Sequence, residues 1–263
     1  MPLSEEQRAE AAHKLLEAER TRQGMDPLTQ LYPSIAVADS YDIQLRVIAA
    51  KKAAGATVIG KKIGLTAKVM QRMLGIDTPD YGHLMNTMRL VDGAILSCDE
   101  MLIPRVEVEL AFVLDKPLRG PGVNLAQVLA ATRYVTPAFE IIDSRVRDWK
   151  IHFEDTVADN GSSARFVLGS RHKTVDQVNL RLIGMVLEKN GEDLATGAGA
   201  AVLGNPAIAV AWLANALSDY GIGLEADEVI LPGSLCAAFN AEAGDTFTAA
   251  FDGLGSVSVN FAS

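Results

Sequence analysis

Only two cysteines, Cys98 and Cys236, occur in 263 residues, and their wide separation matches neither a disulfide framework nor a thiolate metal site. Both read as reduced thiols. Positive charge is also scarce: 24 Lys and Arg against 33 Asp and Glu leave a formal net charge of -9. An acidic surface repels a phosphate backbone, so nucleic acid is not an expected partner. A small anion remains possible, because it needs only a local positive site. The N-terminus, Met1-Pro-Leu-Ser-Glu-Glu-Gln, is charged at once and lacks the apolar core of a signal peptide. No apolar run reads as a membrane span of roughly 20 residues. The expectation is a cytoplasmic protein with no membrane partner. The four histidines (His13, His83, His152 and His172) fall in no ligand or triad spacing and read as structural. Gly-x-Ser-x-Gly, P-loop and dinucleotide fingerprints are missing.

What is present begins with helices. Ser4-Glu-Glu-Gln7 is a capping box, and the helix it opens should end near residue 22, before Gly24 and Pro27. A second helix fits residues 38–54, with Tyr41, Leu45 and Ile48 on one face and Gly55 beyond its end. From residue 57 the texture becomes strand-like. Strands are expected over 57–64, 106–114, 138–142, 229–231, 246–251 and 257–261. A short helix is expected over 67–74, and Asp77-Thr-Pro-Asp-Tyr-Gly reads as a loop. Residues 186–189 followed by Asn190-Gly191 signal a hairpin with a type I′ turn. Asn205-Pro206 starts a helix bearing Val210, Leu213 and Leu217. Helices first and strands later, without regular alternation, argue an α+β fold. The expected organisation is an N-terminal helical portion, residues 1–56, and a β-rich catalytic core, residues 57–263.

Arg105-Val-Glu-Val-Glu-Leu-Ala-Phe-Val is the most informative stretch. Strand side chains alternate, so Glu107 and Glu109 share one face with Ala111 and Val113. Two carboxylates so close repel unless a cation lies between them, although a solvated strand face is the plainer alternative. Glu140 lies in the apolar run Ala138-Phe-Glu-Ile-Ile, where an ionised carboxylate needs a partner: a shared metal, or a salt bridge to a side chain such as Arg145. Three carboxylates suit Mg²⁺ or Mn²⁺, which favour octahedral oxygen sites. In Gly60-Lys-Lys-Ile-Gly, alternation turns Lys61 and Lys62 to opposite faces. An inward lysine beside a metal could neutralise a substrate carboxylate or move a proton, while two surface lysines are the bland alternative. Asp155-Thr-Val-Ala-Asp-Asn-Gly-Ser-Ser is polar, as loops are.

These stretches, with Pro79-Asp-Tyr-Gly, Phe139-Glu-Ile-Ile-Asp-Ser-Arg, Gly197-Ala-Gly-Ala-Ala-Val-Leu-Gly and Gly253-Leu-Gly-Ser-Val, resemble the 2-hydroxypenta-2,4-dienoate hydratases. That group sits with 4-oxalocrotonate decarboxylases and 2-oxo-hept-ene-dioate hydratases in the fumarylacetoacetate hydrolase superfamily. The likeness runs from about residue 30 to the C-terminus. It implies a mixed β-rich core with an N-terminal helical portion, a homo-oligomer, and Mg²⁺ or Mn²⁺ held by Glu107, Glu109 and Glu140. It further implies Lys62 and Asp80 as catalytic groups, with Lys61 outward, and Ser162 and Ser234 as substrate contacts. The hydrolase branch activates water with a histidine–glutamate pair, and no histidine here matches it. The implied activity is addition of water to a small 2-hydroxydienoic or 2-oxo acid in aromatic-compound catabolism. Decarboxylation, hydration of a longer diacid, and a merely metal-stabilised oligomer are the alternatives. The site-bearing segments supply no second lysine or histidine for a distal carboxylate, so the five-carbon monoacid is expected. Arg72, Arg105, Arg145 and Arg165 are the side chains that could overturn this.

Overall fold

Ser4 opens the first helix as the capping box requires. Its hydroxyl accepts the Gln7 N–H at 3.2 Å, and the Gln7 side chain accepts the Ser4 N–H at 2.8 Å. The structure, a computed structural model, describes residues 2–68, 71–72 and 76–263. Helix α1 (Glu5–Thr21) is followed by α2 (Leu28–Leu31) and α3 (Val37–Ala53). One face of α3, with Ile43 and Val47, packs with Ala11, Ala12 and Leu15 of α1. Its other face carries Gln44 and Ile48 toward the sheet, and Gln44 donates to the Tyr81 carbonyl at 3.0 Å. Leu45, expected in the apolar stripe, is 39% exposed. The stripe is rotated because α3 is gripped from two sides. Of the helix expected over 67–74, Lys68, Gln71 and Arg72 are helical, while Val69, Met70, Met73 and Leu74 lie outside the described residues.

The remaining elements are β1 (Val58–Gly64), β2 (Asp80–Met85), β3 (Arg89–Leu90), β4 (Ala94–Ser97), β5 (Arg105–Leu114), α4 (Leu125–Ala131), β6 (Thr132–Ile142), α5 (Phe153–Ala158), β7 (Ser163–Leu168), β8 (Gly184–Lys189), β9 (Glu192–Ala198), α6 (Pro206–Ser218), β10 (Val229–Leu231), β11 (Phe239–Asn240), β12 (Thr246–Phe251) and β13 (Gly255–Ala262). Two sheets result. The larger runs β2-β1-β10-β5-β6-β7-β3 with β11 alongside β5, and the smaller runs β4-β13-β12-β8-β9. Pairs β1–β10 and β3–β7 are parallel within an otherwise antiparallel larger sheet. The expected α+β class, a mixed β-rich core with helices at the N-terminus, is the class observed.

Several local expectations are met, and three are corrected. Asn190 (φ 56°) and Gly191 (φ 83°) make the left-handed turn between β8 and β9. Asn205 caps α6 by accepting the Ala207 N–H at 3.0 Å. In contrast, Asp80, Tyr81 and Gly82 are not loop: they open β2, paired with β1 and buried. The polar stretch from Asp155 likewise lies partly in α5, not in a surface loop. The stretch Gly199–Ser218 does have the apolarity and length of a membrane span. Only Pro206–Ser218 is one regular α-helix, and it buries Val210, Leu213 and Leu217 in the core.

The two faces of β5 have different destinies. Val106, Val108, Leu110 and Phe112 join Phe139, Phe247, Val257 and Phe261 between the sheets. Each such side chain contributes about 1.5–3 kcal/mol by leaving water. The opposite face carries Glu107, Glu109, Ala111 and Val113, and the last two pack with Ala138, Leu231 and Leu84 under the concave side of the larger sheet. That concavity is where the polar groups collect.

Candidate active site

Antiparallel pairing sets Glu107 directly opposite Glu140, with Glu109 one pleat farther along β5. One oxygen from each of the three lies within 4.8 Å of the others. Glu109 and Glu140 are fully buried and Glu107 is partly so. Glu109 Oε2 accepts the Gly233 N–H at 2.7 Å. Its Oε1 and both oxygens of Glu140 are buried without a hydrogen-bond partner. Burial pushes the pKa of all three carboxyls upward, Glu107 to about 7, with the neighbouring carboxylates adding to the effect. Converging, buried carboxylate oxygens with little hydrogen bonding of their own fit a hard divalent cation, whose charge would meet theirs and whose open positions would take water or substrate oxygens.

Lys62 reaches this cluster from β1, which is separated from β6 by β10 and β5. Three inter-strand steps in a flat sheet would put the strands roughly 14 Å apart. Yet Lys62 Nζ lies 3.5 Å from Glu140 Oε2, so the sheet curls and the lysine spans the hollow. Nζ also donates to the Gly161 carbonyl at 3.0 Å. Burial alone would lower its pKa, but Glu140, Asp80, Glu107 and Glu109 outweigh burial and hold it above the ordinary lysine value.

Asp80 sits opposite Gly64 in the β1–β2 pair, on the same side as Lys62. It is 1% exposed, and its Oδ1 has no hydrogen-bond partner. Burial raises its pKa against the pull of Lys62 and the Gly64 N–H. A Cβ on Gly64 would collide with this carboxylate, which is why glycine stands there. Glycine at 161 has a similar reason: its φ is +61°, and a side chain would strike the Lys62 ammonium.

Of the two serines singled out from the sequence, Ser162 turns its hydroxyl to Asp159 Oδ2 at 3.4 Å. Its neighbour Ser163 lies beside Glu140, where its buried Oγ favours the ionised carboxylate. Ser234 Oγ bridges the N–H and the carbonyl of Val108, at 3.2 Å each, and so ties the 233–235 loop to the strand between Glu107 and Glu109. Ser163, Asn160 and the backbone carbonyl of Gly161 were not found from the sequence. Only Asn-Gly, a pair that accepts left-handed backbone, hinted at the turn.

The outward, surface position expected for Lys61 is corrected. It does turn away from the glutamates, but it is 4% exposed and pairs with Glu228 at 2.6 Å. Arg145 does not serve Glu140 either: it is sealed against Asp159 and the carbonyls of Asp143 and Asp159. His83 is on the other face of β2, where its Nδ1 meets Gln44 Oε1 at 3.1 Å, and His13, His152 and His172 are exposed. Both cysteines are free. Burial, with the charge of Glu107, pushes the Cys236 thiol up to about 11.

Residues 86–262 match the family model described as fumarylacetoacetate (FAA) hydrolase C-terminal. A 2-hydroxyhexa-2,4-dienoate hydratase of Comamonas testosteroni is 46% identical over 250 residues, covering 94% of this chain and 95% of its own. A 2-hydroxypent-2,4-dienoate hydratase of Pseudomonas putida is 50% identical over 214 residues, covering 81% and 96%. Among solved structures, a 4-oxalocrotonate decarboxylase from Pseudomonas putida G7, complexed with magnesium and adipate, superimposes with a TM-score of 0.96 at 40% identity, covering 98% of each chain. The resemblance seen in the motifs therefore holds over nearly the whole chain, and the protein belongs to the fumarylacetoacetate hydrolase superfamily, in its hydratase and decarboxylase group.

Proposed function

We propose that this chain is a divalent-metal-dependent hydratase that converts 2-hydroxypenta-2,4-dienoate to 4-hydroxy-2-oxopentanoate. The observation that carries the reading is the buried triad of Glu107, Glu109 and Glu140, with unpartnered oxygens, beside the Lys62–Asp80 pair. The names of relatives 46% and 50% identical point the same way. The three glutamates would hold Mg²⁺ or Mn²⁺, which when bound supplies Lewis-acid stabilisation of negative charge on the substrate's 2-oxygen.

The chain's own groups do the rest. The dienol loses its 2-hydroxyl proton and gains one at C5, giving the 2-oxo-3-enoate. Water oxygen then bonds to C4, and a proton is delivered to C3. Asp80, buried and with raised pKa, takes the proton from that water. The Lys62 ammonium, fixed by the Gly161 carbonyl, compensates the charge that passes through the 2-oxygen. None of the four histidines faces the triad, which disfavours a histidine–glutamate water activation of the hydrolase type.

A second reading, loss of CO₂ from a six-carbon dienoic diacid, is favoured by the 0.96 TM-score with a decarboxylase. The test is to add enzymatically generated 2-hydroxypenta-2,4-dienoate with and without Mg²⁺. Metal-dependent loss of dienol absorbance with formation of 4-hydroxy-2-oxopentanoate supports hydration. Inactivity on that dienol together with CO₂ release from 4-oxalocrotonate replaces hydration with decarboxylation.

A further inference from the structure

Strand β2 closes one end of the larger sheet, so one of its edges has no strand beside it among the described residues. Side chains stand in for the missing strand. Asn160 meets the N–H and carbonyl of His83, and Gln44, arriving from α3, meets the Tyr81 carbonyl. Gln44 is fully buried, and its Nε2 donates a second hydrogen bond, at 2.7 Å, to the Val157 carbonyl. Val157 is in the last turn of α5, where carbonyls lack the ordinary helical partner. One amide therefore joins the strand that begins with Asp80 to the helix that leads, through Asp159 and Asn160, to the Gly161 carbonyl on Lys62.

The same contacts fix a proton. Carbonyl oxygens only accept, so the Gln44 atom facing Tyr81 and Val157 is the nitrogen, and both its hydrogens are used. Gln44 Oε1 is then an acceptor, 3.1 Å from His83 Nδ1. A bare ring nitrogen there would set lone pair against lone pair, so Nδ1 carries a hydrogen. The ring is neutral. His83 is 6% exposed and stands directly across from Lys61 in the β1–β2 pair, and burial together with the Lys61 charge lowers its pKa to about 4. The imidazole thus holds the amide in one orientation. Gln44, Lys62 and Asp80 all precede residue 86, where the match to the family model begins.

We propose that Gln44 is a positioning residue of the active site: locked by the Nδ1–H form of His83, it sets the spacing between the strand of Asp80 and the turn that holds Lys62. The N-terminal helical portion then takes part in catalysis without touching substrate. This rests on the reading that Lys62 and Asp80 act on the dienol.

Two measurements test it. In ¹⁵N-histidine-labelled wild type at pH 7, long-range ¹H–¹⁵N correlation should show His83 protonated at Nδ1 alone, and Gln44→Met should alter that pattern. Protonation at Nε2, or at both nitrogens, would overturn the lock. Steady-state kinetics follow the Mg²⁺-loaded protein. Gln44→Met should lower kcat on the dienol by roughly tenfold or more, with KM and Mn²⁺ affinity within about twofold of wild type, because the triad lies on β5 and β6. Gln44→Glu, protonated by its burial, keeps one donor and one acceptor and should lose less. Wild-type kcat in Gln44→Met, or equal losses of kcat and Mn²⁺ affinity, would overturn the positioning role. If Gln44→Met does not fold, the same criteria apply to Gln44→Glu. If the wild type turns over neither 2-hydroxypenta-2,4-dienoate nor 4-oxalocrotonate, the reading of Lys62 and Asp80 fails and the positioning role falls with it, whereas the histidine spectrum still decides the lock.

Discussion

Asn160 grips both backbone polar groups of His83: its Oδ1 accepts the His83 N–H at 2.7 Å, and its Nδ2 donates to the His83 carbonyl at 2.9 Å. Asn160, Gly161 and Ser162 are all left-handed, with φ of 57°, 61° and 55°. The clamp holds this turn against β2, and the turn presents the Gly161 carbonyl to Lys62. Gly82 makes the approach possible, since a Cβ there would meet the Asn160 carbonyl oxygen at 2.5 Å.

Asn160→Gly tolerates the left-handed backbone but removes the clamp. Turnover of the dienol should fall by roughly 10–100-fold, as with other groups that orient an active side chain. The KM and Mg²⁺ affinity should stay within about twofold. Combined with Lys62→Met, the substitution should cost little more, because it acts through Lys62. Additive losses in steady-state kinetics would separate the turn from the lysine.

The two lysines should behave in opposite ways. Lys61→Met leaves Glu228 buried without its partner, which costs about 3–5 kcal/mol. Urea unfolding should register the loss, and adding Glu228→Gln should recover much of it. Lys62→Met should lower kcat by roughly a hundredfold or more with far less effect on stability of the Mg²⁺-loaded protein. A stable Lys61→Met protein would contradict the buried pair.

Replacing Glu109 or Glu140 by Gln keeps the shape but removes a charge from the triad. Mn²⁺ binding measured by calorimetry should weaken by about tenfold or more for each. Far-UV circular dichroism should be unchanged. Wild-type Mn²⁺ affinity in either variant would remove that residue from the ligand set.

Stability of the metal-free protein should fall as pH rises from about 4.5 to 7. Burial, reinforced by Glu140 and Asp80, raises Glu107 to about 7 from the unfolded 4.5. Such a raised group contributes stability below the unfolded value and loses it as pH passes the folded one. Asp159, raised to about 6 by burial, has the same sign. Mg²⁺ should therefore raise the unfolding temperature more at pH 7.5 than at pH 5, and its addition at pH 6 should release protons. A pH-independent Mg²⁺ effect would mean that the glutamates are already ionised.

The face of β5 was legible because alternation over Arg105–Leu114 is a local property, and so was the hairpin turn at Asn190-Gly191. Glu140 stood out because an acid in an apolar strand demands a partner. Burial of Lys61 was not legible: alternation assigns a face, but Glu228, 167 residues away, decides that the face is closed. Asp80 to Gly82 carry loop chemistry in composition, yet pair with β1 because Gly64 leaves space for the Asp80 carboxylate. The polar stretch after Asp155 looked ordinary since only tertiary clamps, such as Asn160 on His83, make it part of the site.

The glutamate triad is written locally, on one antiparallel strand pair, β5–β6. Its counter-charge is not. Lys62 arrives on β1, whose parallel register with β10 matches Lys62 to Leu231, a partner far along the chain. A change at the β1–β10 seam would therefore strip the triad of its cation without touching any ligand, and would do so by loosening a strand junction, not by altering chemistry. Variation at Val229, Ile230 or Leu231 is thus a hidden control on the reactivity of residues those side chains need never meet.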